Sequence, residues 1–428
     1  MTAEPVWRIE DDCFVHDRDR LTYDQAIDIL RTRLGPLVER IDVDLTDAVG
    51  RIAAQPLTAA RPIPAFDNSA VDGYAFAFDT LAEADTATQL QVSSRVAAGA
   101  QQEHPVLQQG TAARIFTGAV MPKGADTVVM QEDCRVSEDG MTVLIPAGAR
   151  PGSNIRKMGE DLNPGDGLVS KGEVLNPRDI ARLASAGVSE VPVFKRLKVG
   201  LLSSGDELRA PGQELPPGAV FDANAPMLIA MAKNMPVELH FLGTMADEES
   251  EVETALASAA ERFDVILTSG GASKGDADHL QTVLNRLGKS HIWQLAIKPG
   301  RPMMMGQIGQ VPVFALPGNP VAVFICWCLF VHPALLHMAG ATWPEPQRIT
   351  VPAGFEVTKK KPDRRELYRG WLENRDGVTT AIKFQRDGSG LISGLQAATG
   401  LIEIPEEATS VAPGDLVRFW PLSQFSAP

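Results

Sequence analysis

The stretch Phe263-Asp264-Val265-Ile266-Leu267-Thr268-Ser269-Gly270-Gly271-Ala272-Ser273-Lys274-Gly275-Asp276-Ala277-Asp278 constrains the fold more than any other part of the chain. Its apolar run reads as a buried strand, and Ser-Gly-Gly allows a tight turn. An Asp-rich helix start follows, with Leu280, Val283, Leu284 and Leu287 at helical spacing and Gly288 as a stop. Strand, glycine turn and helix N-terminus together offer free backbone N–H groups and a positive dipole end, which suits a phosphate. Carboxylates beside such a seat point to a divalent cation between anion and protein. The same grammar occurs upstream, where the strand Lys198-Val199-Gly200-Leu201-Leu202-Ser203 runs into Ser204-Gly205-Asp206-Glu207-Leu208. Two such units imply a crevice site at the carboxyl ends of parallel strands.

The surrounding residues support that architecture. From about 194 to 340, strands at 198–203, 237–242, 264–268, 292–297 and 311–316 alternate with helices near 225–234, 248–262, 276–288 and 319–338. This predicts a doubly wound, mostly parallel α/β sheet covered on both faces. At the start, Thr22-Tyr23-Asp24-Gln25 resembles a capping box, and Ala26, Ile27, Leu30, Leu34 and Val38 predict an amphipathic helix. Between about Arg61 and Val193, recurring Gly and Pro with short runs such as 89–96, 127–130 and 142–145 predict an irregular β domain. A helix returns at Asn176-Pro177, which places a capping residue before a proline at the first turn, and Gly187 ends it. Beyond Trp343-Pro344-Glu345-Pro346 the pattern is again β, with hairpin signals at 374–377 and 387–390, and a small C-terminal β-barrel-like or sandwich domain is expected.

A chain of 428 residues exceeds one ordinary core, so about two to four domains are expected. The net charge of −14 argues against nucleic acid as the main partner, so any anion is held by a local basic site or a metal. Cys13, Cys134, Cys326 and Cys328 show no disulfide or zinc spacing; reduced core thiols and a cytoplasmic location are expected. The N-terminus lacks a signal-peptide pattern. The apolar run Val321–Val331 is short for a bilayer and is expected to be cut by His332-Pro333, so no membrane partner is expected.

Glu207, Asp247, Asp276 and Asp278 follow or lie near strand ends, where they either cap helices or converge on Mg2+ shared with phosphate. Lys298-Pro299-Gly300-Arg301-Pro302 reads as a stiffened anion clamp or as a solvated turn. Leu316-Pro317-Gly318-Asn319-Pro320 has the same plan without charge and reads as wall. Phe66–Ala75, around Asp72, and Gly152–Asp161, with Arg156, Glu160 and Asp161, are charged loops. Lys359-Lys360-Lys361-Pro362-Asp363-Arg364-Arg365-Glu366-Leu367-Tyr368-Arg369 is the strong basic cluster, read as a solvated hairpin or an oxyanion site. His332 and His337 read as structural, His279 lies beside the proposed site, and Met303-Met304-Met305 reads as strand packing.

In order along the chain stand Ser69-Ala70-Val71-Asp72-Gly73-Tyr74-Ala75, Arg114-Ile115-Phe116-Thr117-Gly118-Ala119, Gly124-Ala125-Asp126-Thr127-Val128-Val129, Asn154-Ile155-Arg156 with Gly159-Glu160-Asp161, Ser204-Gly205-Asp206-Glu207-Leu208, Ser269-Gly270-Gly271 with Gly275-Asp276-Ala277-Asp278, Lys298-Pro299-Gly300 and Pro317-Gly318-Asn319-Pro320. This series resembles the molybdopterin molybdenumtransferases, the MoeA and gephyrin E-domain family, over nearly the whole chain. The resemblance implies insertion of molybdate into adenylylated molybdopterin with Mg2+-dependent release of AMP, in molybdenum cofactor synthesis. It implies an elongated homodimer with an interrupted N-terminal dimerisation domain (1–60 and 162–193), an inserted β domain (61–161), a molybdopterin-binding α/β domain (194–340) and a C-terminal β domain (341–428). The implied active cleft lies between the α/β domain of one protomer and the N-terminal part of the other.

By the same resemblance, Asp72, Thr117, Asp161, Glu207, Asp247 and Asp278 are catalytic, with Glu207, Asp247 and Asp278 as metal ligands. Ser269, Gly270, Gly271, Ser273, Lys298, Pro299, Arg301, Pro302, Arg364 and Ser393 bind substrate; the Arg364 match is shared with its neighbour Arg365. The implied partners are adenylylated molybdopterin and molybdate, the adenylyltransferase that supplies the former, and downstream cofactor-handling proteins. The chain departs from the family at Val71, at Ser204 and at Lys274, which adds a charge near the phosphate seat. Two alternatives accompany this reading: an adenylyltransferase, disfavoured by the flanking β domains, and a dimeric scaffold or low-activity paralogue.

Overall fold

The computed structural model describes residues 20–81, 85–99, 106–270 and 279–425, with the side chains of 291–293 excepted. The chain divides into two compact units. The smaller holds Pro56–Ser170 and Ala181–Ser189; the larger holds residues up to Gln55, Lys171–Ile180 and the chain from Glu190 onward.

The smaller unit is organised round one six-stranded sheet in the order Thr127–Met130, Gly73–Phe76, Thr111–Ile115, Thr88–Val96, Thr142–Ile145 and Arg135–Val136. All its pairings are antiparallel except that between Thr88–Val96 and Thr111–Ile115. Alternate residues feed opposite cores: Tyr74 and Phe76 join Leu90 and Ile145, while Ala75 joins Ala113 and Val128. Gly73 has no alternative residue, because a Cβ there would sit 2.0 Å from the Val129 carbonyl oxygen.

The larger unit contains the doubly wound sheet. Its order is Val237–Met245, Leu197–Ser204, Val265–Ser269, Val311–Leu316, Pro302–Ile308 and Lys289–Gln294. The first four strands are parallel, and Pro302–Ile308 runs antiparallel to both its neighbours. Val265, Leu267, Phe314 and Leu316 face a core that includes the helices Tyr23–Arg33, Asn224–Ala232 and Pro320–Cys326. Ile266, Val313 and Ala315 face the opposite core, against the helices Glu249–Ala260 and His279–Leu287. Met303 and Met305 join the first core and Met304 the second, so the triple methionine is strand packing.

Four expectations change. The first helix closes at Arg33 instead of running to Val38, because Leu34 turns extended before Gly35-Pro36, and proline cannot donate to continue the helix. The strand expected at 292–297 ends at Gln294, and a separate strand, Ile297–Lys298, leaves the sheet to pair elsewhere. His332-Pro333 does not cut the apolar run. A π-helical turn at Trp327–Val331, with the His332 N–H bonded to the Trp327 carbonyl, lets the helix pass through the proline and span Pro320–Met338. That 19-residue helix is long and apolar enough to cross a membrane, but 89% of its apolar window is buried in the protein core. Finally, the 374–377 signal is a hairpin, with Asn374 Oδ1 accepting from the Gly377 N–H, but 387–390 leads into the short helix Ser393–Ala397.

The C-terminal strands close on themselves. Val378–Lys383, Arg365–Arg375, Gly400–Ile404, Leu416–Pro421 and Ile349–Pro352 pair in that order, and a bridge between Ala353 and Ala381 joins the last to the first. Tyr368, Ile402, Ile404, Val417 and Phe419 fill the resulting small barrel.

Candidate functional site at the carboxyl edge of the parallel sheet

Strand order brings the sequence-separated turns to one edge. Ser203, Thr244, Ser269 and Leu316 lie level across the parallel strands. The next residues, Ser204–Glu207, Asp247, Gly270 and Pro317–Asn319, therefore share that edge. Because Pro302–Ile308 is antiparallel, its beginning lies there too, and the loop Lys298–Arg301 comes with it. This is where an open α/β sheet binds ligands.

The carboxylate end is built from tight turns. Ser204 Oγ donates to Asp247 Oδ1 at 3.0 Å, and the Asp247 N–H donates to Asp206 Oδ1 at 3.0 Å. Glu207 folds back over Gly205, where a Cβ would meet its carboxylate at 2.6 Å. Gly270, at φ +91°, passes so close to Ser204 that a Cβ would lie 2.4 Å from the Ser204 carbonyl oxygen. The Gly270 N–H is engaged by Leu316 O at 3.1 Å, so this residue contributes close approach and no free donor. By contrast, the Ser269 and Thr268 hydroxyls are buried without a hydrogen-bond partner among the described residues. Gly271, Ser273, Lys274, Asp276 and Asp278 lie outside the described residues.

Among the described residues, no three His, Cys, Asp or Glu side chains converge to hold a metal. Glu207 and Asp247 remain as two hard oxygen donors, Asp247 fastened by Ser204 and Glu207 over Gly205. Such a set suits Mg2+, which is commonly held by one or two carboxylates together with substrate phosphates.

At the cation end the chain makes a connection across the two sheets of this unit. Ile297–Lys298 pairs in parallel with Arg365–Glu366 of the barrel. Arg364 donates through Nε, at 2.8 Å, and through Nη2 to Glu366 Oε1. Lys298 Nζ lies 3.5 Å from Glu366 Oε2, which also accepts the Tyr368 hydroxyl at 2.5 Å. Burial works to raise the Glu366 carboxyl, but Tyr368, Arg364 and Lys298 outweigh it and hold the group below the usual carboxylate range. Burial, then the hydrogen bond to Glu366, pushes the Tyr368 phenol up. Glu366 is 2% exposed, whereas the Lys298 and Arg364 side chains keep 43% and 23% of their surface, so a solute can reach both cations.

The basic cluster divides its labour. Arg365 is buried, paired with Glu403, Glu406 and Asp24, and stacked 4.6 Å from the Tyr23 ring; its role is structural. Lys360 gives its ammonium to the carbonyls of Lys361, Glu406 and Ala408. Lys359 and Lys361 are exposed. Arg301 is exposed on the edge loop, and Pro302 begins the antiparallel strand. Ser393 opens the short helix after a loop held by Arg369, which donates to Leu391 O and Arg386 O. The Ser389 carbonyl accepts the Val321 N–H, which brings this loop to the helix that follows Asn319.

In the smaller unit, Asp72 Oδ1 accepts both the Thr117 N–H at 2.8 Å and the Thr117 hydroxyl at 2.7 Å. These two bonds, the backbone one first, hold the Asp72 carboxyl below its ordinary range. Arg114 lies 4.6 Å from the Phe116 ring and donates to the Gly73 carbonyl at 2.9 Å, bracing the same turn. Asn68–Ser69 pairs with Ile155–Arg156, and the Asp161 N–H donates to Ile63 O, so the two charged loops fold against each other. Asp161 itself is exposed.

Glu366 and Tyr368 stood inside the basic cluster, but sequence reasoning gave them no role of their own; they join Lys298 to Arg364. Sequence reasoning missed Asp222, which accepts from Ser203 Oγ at 2.5 Å and caps the helix Asn224–Ala232, and Asn224, which ties down the Gly318 carbonyl at 2.8 Å. The alternation of Glu366 and Tyr368 on one strand face was a usable signal. His279 lies 3.9 Å from Glu249, His332 packs edge-on against Phe425, and Cys326 and Cys328 are free buried thiols.

Comparison with known proteins covers the whole of this arrangement. Residues 21–187 match the MoeA N-terminal region (domains I and II), 200–337 a probable molybdopterin binding domain, and 350–422 the MoeA C-terminal region (domain IV). Over 407 residues the chain is 34% identical to the molybdopterin molybdenumtransferase of Haemophilus influenzae, covering 94% of this chain and 99% of that one. It is 32% identical over 392 residues to molybdopterin molybdenumtransferase 2 of Mycobacterium tuberculosis, covering 90% and 95%. The crystal structure of the molybdopterin biosynthesis MoeA protein from Pyrococcus horikoshii superposes with a TM-score of 0.81 at 29% identity, over 94% of this chain and all of that one.

Proposed function

The chain belongs to the molybdopterin molybdenumtransferase family, enzymes of molybdenum cofactor biosynthesis, and on that premise we propose that it inserts molybdate into the dithiolene of adenylylated molybdopterin and releases AMP. The observation that carries this reading is the division of one sheet edge into a carboxylate end and a cation end. The dithiolene sulfurs belong to the substrate, and the chain's buried thiols are not required: burial pushes Cys326 up to about 12.

Roles follow from chemistry. Ser269 and the glycine turn receive the phosphoanhydride, where the unsatisfied Ser269 hydroxyl gains a partner. Glu207 and Asp247, with Asp278, hold Mg2+, which when bound neutralises charge on the departing phosphate. Lys298, Arg301, Arg364 and Ser393 hold the molybdate dianion through charge-assisted hydrogen bonds, and Pro299 and Pro302 stiffen the loop that presents them. Arg364 is preferred over Arg365 because Arg365 is buried and turned to Glu403, Glu406 and Asp24. Asp72, Thr117 and Asp161 act in the same reaction.

The reading further includes a homodimer, the four-part domain division set out from the sequence, a cytoplasmic location, and exchange of substrate and product with the neighbouring enzymes of cofactor synthesis. Incubating the purified protein with adenylylated molybdopterin, Mg2+ and molybdate tests it. AMP and active cofactor are expected to appear together and to be lost in Asp278→Ala. Tight binding without turnover supports a scaffold or low-activity paralogue instead, with Lys274→Val as the first variant to examine.

A further inference from the structure

Two solvent-reachable cations, Lys298 and Arg364, come from positions far apart in sequence and meet at one buried carboxylate. Glu366 is held from three sides: Arg364 Nε and Nη2 on Oε1, and the Tyr368 hydroxyl and Lys298 Nζ on Oε2. The contacts are unequal. The Arg364 fork is fixed by two N–H groups on one oxygen, whereas Lys298, at 3.5 Å, is loosely drawn and free to turn toward a solute. The strand pairing at Ile297–Lys298 and Arg365–Glu366 sets this distance through the backbone.

We propose that Glu366, braced by the Tyr368 hydroxyl, is the positioning residue of the oxyanion seat: it orients the Arg364 guanidinium and keeps Lys298 within reach of the same dianion. The inference rests on the assignment of Lys298 and Arg364 to molybdate. A carboxylate near an anion seat also repels the anion. Here its charge is offset by two cations and a hydroxyl within 3.5 Å, so orientation outweighs repulsion. Planar, bidentate recognition of an oxyanion depends on a fixed guanidinium plane, and an unanchored arginine loses much of it to rotamer freedom.

The test is steady-state AMP release by the full-length protein, with molybdate varied at saturating adenylylated molybdopterin and then the reverse. Glu366→Gln is expected to raise the molybdate KM about tenfold, the effect of one charge-assisted hydrogen bond, while the KM for the nucleotide substrate stays unchanged. Glu366→Asp restores part of the loss, and Tyr368→Phe raises the molybdate KM by a smaller factor. Tyr368→Phe decides the matter if Glu366→Gln does not fold, as judged by thermal melting. An unchanged or lower molybdate KM in Glu366→Gln and Tyr368→Phe, alongside a raised one in Lys298→Ala, overturns the positioning role alone. An unchanged molybdate KM in Lys298→Ala overturns the assignment of the seat, and the positioning role with it.

Discussion

The two ends of the sheet edge are made by different physics. At the carboxylate end, neighbouring turns set the geometry: Gly270 passes against the Ser204 backbone, and Ser204, Asp206 and Asp247 lock one another. At the cation end, a parallel strand pairing brings the two segments together across a long sequence gap, and side-chain charge on Glu366 then orients Arg364 and Lys298. The first end should fail when the backbone is crowded, the second when a charge is removed. The edge is thus stiff at its carboxylate end and more adjustable at its cation end.

The largest effect expected is one that separates the two adjacent arginines. Arg365→Ala takes a buried cation from Glu403, which keeps Arg348, Arg418 and the Trp420 indole N–H, also unpairs Glu406 and Asp24, and leaves a cavity, and should cost about 3–5 kcal/mol in chemical denaturation. Arg364→Ala takes two N–H donors from the buried Glu366 but leaves Tyr368 and Lys298 on it, so it should cost less, about 1–2 kcal/mol; comparable losses from both would erase the distinction between structural and seat arginine. Next, Gly270→Ala at φ +91° meets an immovable carbonyl and should destabilise the protein by about 3 kcal/mol. Gly300→Ala, at φ +104°, meets the Cys326 side-chain sulfur at 2.8 Å and no backbone atom closer than 3.7 Å, and should cost less. Equal melting temperatures for the two variants would break the claim that only one end is backbone-limited. Arg364→Ala should then raise the molybdate KM about tenfold, readable in the AMP-release assay.

The smallest effect concerns the third element, in the other unit. Thr117→Val removes the hydroxyl and leaves the N–H on Asp72, so the Asp72 pKa should rise toward its ordinary value, as followed by NMR titration. The sign follows from linkage. A carboxyl held below its unfolded-state value contributes stability above that value and loses it as pH falls through the folded one. The variant should therefore be less sensitive to acid than the parent over that window; no change in the titration would show that the backbone bond acts alone.

The sequence revealed those parts of the fold that repeat at short range. The strands at 198–203 and 264–268, the helical spacing of Leu280, Val283 and Leu284, the triple methionine and the capping box at Thr22 are all local patterns, and each appears where it was expected. The π turn at Trp327–Val331 was illegible because it depends on how Pro333 is accommodated within a packed helix. Glu366 was passed over because its meaning comes from a parallel pairing between residues 297–298 and 365–366, which no periodicity announces. The same pairing separates Arg364 from Arg365, which one-dimensional matching left tied. Of the candidate residues, Asp72 with Thr117 and Lys298 with Arg364 were found separately, and only the structure brings each pair together.

The measurement that bears most directly on this account is the dependence of AMP release on molybdate and on Mg2+ in Arg364→Ala and Asp247→Ala, side by side. The account predicts a split: Arg364→Ala raises the molybdate KM and leaves the Mg2+ requirement unchanged, while Asp247→Ala lowers kcat and raises the Mg2+ requirement at an unchanged molybdate KM. Parallel shifts of both parameters in both variants would contradict a sheet edge divided between carboxylates and cations.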